Sequence, residues 1–197
     1  MKLEELFEDQ LDEISLKNAA AAIAIATSAL TPSMISKHEP VKHVQQSKSV
    51  KKADSNFKEL LSSVISNYKI PSNEAEKIVS LAIKYEKPSF PKAVDILAII
   101  GIESGFNKNA KSKLKKDPAI GLTQVRPKMW GLKPTNLKSN IELQIKTAVD
   151  ILSEYHRKLG CEEKAVHAYN IGPTALKNGQ TNFNYVEKYK NELEKYN

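Results

Sequence analysis

The stretch that most constrains this chain is Ala93-Val94-Asp95-Ile96-Leu97-Ala98-Ile99-Ile100-Gly101-Ile102-Glu103-Ser104-Gly105-Phe106. It is an aliphatic run that ends in a carboxylate, with little polar face left for water. A helix that is apolar all round belongs inside a core, so other elements must cover every side of it. Ile96, Ile99 and Ile100 precede Glu103 by seven, four and three residues, which puts the acid on one stripe with aliphatic side chains. Gly105 is the expected helix stop. An acid there is partly desolvated and close to the negative end of a helix. Both effects favour its protonated form and predict a raised pKa. A carboxylic acid that keeps its proton near neutrality can act as a general acid on a glycosidic bond. Taken alone, the plainer reading is a helix whose terminal acid turns out to water, and the rest of the chain must supply the reason to prefer the other.

Helical spacing continues on both sides of this run. Phe57, Leu60, Leu61, Val64 and Ile65 form one stripe, closed by Asn67-Tyr68 and Pro71. Ser72 is expected to cap a second helix running to Lys84, with Ala75, Ile78, Val79, Ala82 and Ile83 inward. Pro91 is expected in the first turn of the aliphatic helix. Ser139-Asn140-Ile141-Glu142 reads as a capping box. Behind it Ile141, Ile145, Ala148, Leu152, Tyr155 and Leu159 recur at steps of four and three until Gly160. Residues 162–169 form a further helical segment that must turn at Asn170-Ile171-Gly172-Pro173. A last helix over 182–196 carries Tyr185, Val186, Tyr189 and Leu193. No strand pattern of convincing length occurs, and no internal repeat. The expected fold class is all-α or nearly so, in one domain over residues 56–197.

The residues before that domain fall into two parts. In 1–30, an acidic amphipathic helix (Leu3, Leu6, Phe7, Leu11, Ile14) precedes an Ala-rich apolar run over 19–30. That run is too short to span a bilayer, which takes about 20 residues, so no stable transmembrane anchor is expected. It has the length of a signal-peptide core, yet the segment before it is acidic where a signal is positive. An atypical export segment, a removable pro-segment or packaging tag, and an ordinary helix all remain open. Residues 31–55 hold Pro32, Pro40, several Ser and five lysines against Glu39 and Asp54, and are expected to be a basic linker. His38 and His43 have no further His or Cys nearby, so no metal site is expected. Cys161 is a lone cysteine, which excludes an internal disulfide.

Charge is unevenly divided. Residues 1–17 carry two lysines against six acids, and the remaining chain carries 28 basic against 17 acidic side chains. Such a body suits an anionic polymer: nucleic acid, acidic lipid or cell wall. Basic and aromatic residues do not interleave as in a nucleic-acid groove, so no specific nucleic-acid partner is expected.

Three short motifs then follow in order: Glu103-Ser104-Gly105-Phe106, Gly121-Leu122-Thr123-Gln124-Val125 and Ala168-Tyr169-Asn170-Ile171-Gly172. Together they resemble the soluble lytic transglycosylase (Slt-type) catalytic domain of the lysozyme-like superfamily, over about residues 75–190. The resemblance implies a lysozyme-like helical domain with a glycan groove. It implies Glu103 as the single catalytic acid/base and Ser104 as a neighbour that helps hold substrate. It further implies Gln124 as a glycan contact, Tyr169 as the tyrosine bonded to the catalytic Glu, and Asn170 as a groove residue. Phe106 and Leu122 are read as core. The chain departs from the family pattern at Thr123, where Met is usual, and at Ile171, where Ala is usual.

The implied reaction is cleavage of the β-1,4 bond between N-acetylmuramic acid and N-acetylglucosamine in peptidoglycan, with a 1,6-anhydro product. It needs neither cofactor nor metal. Most glycosidases use two carboxylates, and Asp117, Glu142 and Asp150 lie in no recognisable acidic motif. A one-carboxylate route fits, because the muramoyl C6 hydroxyl is tethered to the sugar it closes on. Three alternatives stay open: a goose-type lysozyme with Asp117 as its second acid, an inactive glycan-binding module, and a basic nucleic-acid-binding protein. The expected partner is the glycan strand, met by a monomer in the periplasm or cell wall. The unusual leader favours a phage virion or lysis protein over a secreted bacterial enzyme.

Overall fold

The computed structural model describes the backbone of residues 43–196 and the side chains of 54–196. The readings for 1–30 and for the first part of the 31–55 linker lie outside the described residues. Among the described residues there are eight α-helices: α1 (His43–Tyr68), α2 (Ser72–Tyr85), α3 (Ala93–Ser104), α4 (Pro134–Ser139), α5 (Ile141–Leu159), α6 (Glu162–Ile171), α7 (Pro173–Lys177) and α8 (Phe183–Leu193). Two 3-10 turns, Pro127–Trp130 and Glu194–Tyr196, are also present among the described residues. The only β features among the described residues are isolated bridges, Lys111 with Ile120 and Ile120 with Val125. The all-α expectation holds.

The aliphatic run is the wall between two apolar clusters, which explains why it needs no polar face. Ala93, Ile96, Leu97 and Ile100 of α3 pack with Leu60 and Val64 of α1, Ile78, Val79 and Ala82 of α2, and Ile145 and Val149 of α5. Ala98 and Ile99 turn to the other cluster, with Leu152 and Tyr155 of α5, Val166 and Ala168 of α6, and Tyr185, Val186 and Tyr189 of α8. Each fully buried Ile, Leu or Val side chain among them contributes on the order of 2 kcal/mol. Phe106 and Leu122 are buried, as expected of core residues.

Several boundaries differ from expectation. Helix α1 begins at His43, inside the stretch read as linker. After Pro40 nothing there breaks a helix, and Lys and Gln are good helix formers even in a composition that also suits a mobile linker. Ser72 is the first helical residue and not the cap: Pro71 holds the cap position, and the Ser72 hydroxyl donates to Glu76 Oε1 at 3.1 Å. Pro91 lies before the Lys92 cap of α3 rather than in its first turn. At α5 the capping box is replaced by a single cap: Asn140 Oδ1 accepts the Leu143 N–H at 3.0 Å. Glu142 reaches instead to Lys84 at 2.7 Å and to the Tyr85 hydroxyl, tying α5 to α2. Gly160 closes α5 in the left-handed conformation, as its position implies.

Candidate active site

Glu103 stands on the last turn of α3. The helix stops behind it at Gly105, in the left-handed region with its N–H on Gly101 O at 3.0 Å. The Glu103 side chain is mostly buried and opens onto a cavity of about 330 Å³, within the usual range for small-molecule sites. Burial pushes its carboxyl up to about 7, from an ordinary value of 4.5. One hydrogen bond opposes this shift: the Tyr185 hydroxyl of α8 donates to Glu103 Oε1 at 2.6 Å. The acid is therefore close to half protonated near neutrality, which suits a group that must first give and then take a proton.

The second motif forms one wall. Gln124, Val125 and Arg126 line the cavity, and Met129 and Trp130 of the first 3-10 turn extend it. The wall is fixed by a residue the sequence did not flag. Gln144 of α5 is fully buried; its Oε1 accepts the Leu122 N–H at 2.8 Å and its Nε2 donates to Leu137 O at 2.9 Å. Gly121 lies so close that a Cβ there would fall 2.2 Å from the Gln144 amide, so only glycine fits. Gln124 itself holds a left-handed backbone, φ 48°, uncommon for a non-glycine residue. Its Nε2 donates to Gly121 O at 2.9 Å.

The third motif, at the end of α6, forms the facing wall through Ala168, Tyr169, Asn170, Ile171 and Gly172, with Ile151 and Tyr155 of α5 between them. Here the structure corrects the expected tyrosine. Tyr169 does not bond Glu103; its hydroxyl donates to Thr123 O at 2.8 Å, joining the two walls. The partner of Glu103 is Tyr185. Burial, then the nearby Glu103 charge, raises the pKa of both tyrosine hydroxyls, so both remain donors at neutral pH. Asn170 Oδ1 accepts from Asn182 Nδ2 at 2.8 Å, which orients the amide at the cavity edge.

Ser104 is not part of the cavity lining. Its hydroxyl donates back to Ile100 O at 3.2 Å, a local bond within the helix. The departure at Thr123 is structural: the side chain is fully buried, and its hydroxyl donates to Gln144 O at 3.1 Å. Ile171 lines the cavity.

The other acids are engaged away from the cavity. Asp117 is buried, faces Arg126 Nε at 3.5 Å and accepts the Lys128 N–H at 3.2 Å; it does not line the cavity. Glu142 and Asp150 pair with lysines on the exposed face of α5. Among the described residues, no group of three or more His, Cys, Asp or Glu side chains converges as a metal site, and no helix is long and apolar enough to cross a membrane.

An all-helical domain with one protonatable carboxylate at the end of its central buried helix, facing a cavity built by two further motifs, is of the lysozyme-like class. Residues 81–192 match the transglycosylase SLT domain, and the chain belongs to that family, whose substrate is peptidoglycan. Neither the curated proteins nor the solved structures contain a match to this chain.

Proposed function

We propose that this protein cleaves the β-1,4 bond between N-acetylmuramic acid and N-acetylglucosamine of peptidoglycan by a lytic transglycosylase reaction, with Glu103 as its single acid and base. The observation that carries the reading is the desolvated Glu103 carboxyl, raised to about 7, at the cavity. In the first step protonated Glu103 gives its proton to the glycosidic oxygen as the C1–O bond breaks. In the second the Glu103 carboxylate takes the proton of the muramoyl C6 hydroxyl, whose oxygen bonds to C1. The product is the 1,6-anhydro sugar, Glu103 regains its proton, and no water is consumed. The tethered hydroxyl has a high effective concentration, so a second carboxylate is not required.

In this reading Gln124 and Asn170 contact the glycan from opposite walls. Tyr185 positions the Glu103 carboxyl and stabilises its charged form after proton transfer. Tyr169 holds the second-motif wall through Thr123 O. The position of Asp117 favours this route over a two-carboxylate hydrolase, since its carboxyl is turned to Arg126 and the Lys128 N–H. The testing experiment is Glu103→Gln assayed on purified cell wall, with circular dichroism to check the fold. A folded variant without lytic activity is expected. Retained activity would remove Glu103 from the chemistry.

A further inference from the structure

Residues 107–117 carry five lysines and one acid. The acid, Asp117, is buried and turned to Arg126 and the Lys128 N–H. Lys108 is paired with Glu74 at 2.5 Å. Lys111, Lys113, Lys115 and Lys116 are exposed and have no ion pair among the described residues. Elsewhere the domain compensates many of its cations: Lys84, Lys87, Lys146, Lys190 and Lys195 each lie within ion-pair distance of a carboxylate. The loop therefore concentrates uncompensated positive charge at one place.

That place adjoins the cavity. The base of the loop is stapled: the Ser112 N–H donates to Ala119 O at 3.0 Å, and the Ala119 N–H donates to Ser112 Oγ at 2.8 Å. The Gly121 N–H donates to Ala110 O at 2.8 Å. Ser112 and Ala119 themselves line the cavity. The four lysines thus belong to a loop whose base is part of the cavity wall. Leu114, 52% exposed, stands among them and offers apolar contact.

We infer that this lysine-tipped loop is a subsite for the carboxylates of the stem peptides borne by the glycan strand, an inference that rests on the function proposed above. A strand seated in the cavity carries its lactyl-linked peptides at a fixed distance from the scissile bond. A loop integral to the wall meets those carboxylates at high effective concentration. Lysine suits the task, because a point charge on a flexible stem accepts a carboxylate at many angles. Each exposed pair is weak alone, so the effect belongs to the four together.

The test replaces Lys111, Lys113, Lys115 and Lys116 with Gln in the full chain. Turnover is measured on glycan strands with stem peptides and on the same strands stripped of peptides by an amidase, with the lactyl carboxylate that this exposes converted to its methylamide. Binding of both kinds of strand to the Glu103→Gln protein, with and without the loop substitutions, is followed by the fluorescence of Trp130, the sole tryptophan, which lines the cavity. On peptide-bearing strands KM and the dissociation constant are expected to rise about tenfold with kcat unchanged, an effect of about 1.4 kcal/mol. On stripped strands both constants should stay as they were. Equal changes on the two kinds of strand, or none on peptide-bearing strands, overturn the subsite. If the parent protein cleaves neither kind, the proposed activity falls while the binding measurements still decide the subsite.

Discussion

Helix α3 carries a carboxylate near each end, and α8 supplies a tyrosine to each: Tyr189 to Asp95 and Tyr185 to Glu103. The two rungs look alike, yet their settings differ. Asp95 lies in the first turn, is buried, and also accepts the Lys92 N–H at 2.7 Å. A negative charge there is favoured by the helix dipole and answered by two donors. Glu103 lies in the last turn, where the dipole is unfavourable, and has one side-chain donor and an open cavity before it. One scaffold thus answers one carboxylate with two donors and leaves the other desolvated before a cavity. The difference comes from the end of the helix each occupies and the number of donors each finds, not from the acid itself.

The largest expected effect separates the two rungs. Glu103→Gln should lower lytic turnover by about 10³-fold or more, as loss of a general acid/base does, whereas Asp95→Asn should leave the chemistry measurable. Comparable losses in two folded variants would mean that the two carboxylates do not differ in role. Stability should move in the opposite sense. Glu103 ionises at about 7 in the folded chain against 4.5 in the unfolded one. As pH rises through that window the unfolded state releases a proton that the native state keeps, so stability is lost between the two values and the loss is complete above about 7. Glu103→Gln removes this cost and should stabilise the protein at pH 8 by up to about 3 kcal/mol. Asp95→Asn, which places an amide N–H against a donor, should destabilise it by about 1–3 kcal/mol. Denaturant titrations at pH 4.5 and pH 8 measure both.

A smaller effect tests the tyrosine assignment. The Tyr185 bond holds the Glu103 pKa down against burial. Tyr185→Phe should therefore move the alkaline limb of the kcat/KM profile, which falls as Glu103 loses its proton, upward by about one pH unit. Tyr169→Phe should leave that limb near its place and act through the Thr123 turn. A shift with Tyr169→Phe and none with Tyr185→Phe would reverse the assignment.

The contrast between these tyrosines shows where sequence reading stops. The aliphatic run, its terminal acid and the Gly105 stop were legible because spacing along one helix encodes which side chains share a face. The α5 pattern to Gly160 was legible for the same reason. Tyr185 was visible only as a member of the last helix's apolar stripe with Val186, Tyr189 and Leu193. Its bond to Glu103 spans 82 residues of sequence and depends on how α8 lies against α3. Gln144 was hidden for a related reason, since a polar residue in an amphipathic helix gives no sign that its amide pins a distant turn. The start of α1 was misplaced because a lysine-rich helix and a lysine-rich linker share a composition. Asp117 could be named as a candidate second acid, but its turn toward Arg126 is a tertiary fact.

In the proposed reaction Glu103 acts alone, and the C6 hydroxyl of the substrate, not water, closes on C1. Mass spectrometry of wall digested in water enriched in heavy oxygen distinguishes the two nucleophiles. The expected products are 1,6-anhydromuramoyl species, one water lighter than hydrolysis products and free of the label. Reducing-end products carrying the heavy oxygen from the first turnovers onward would contradict it.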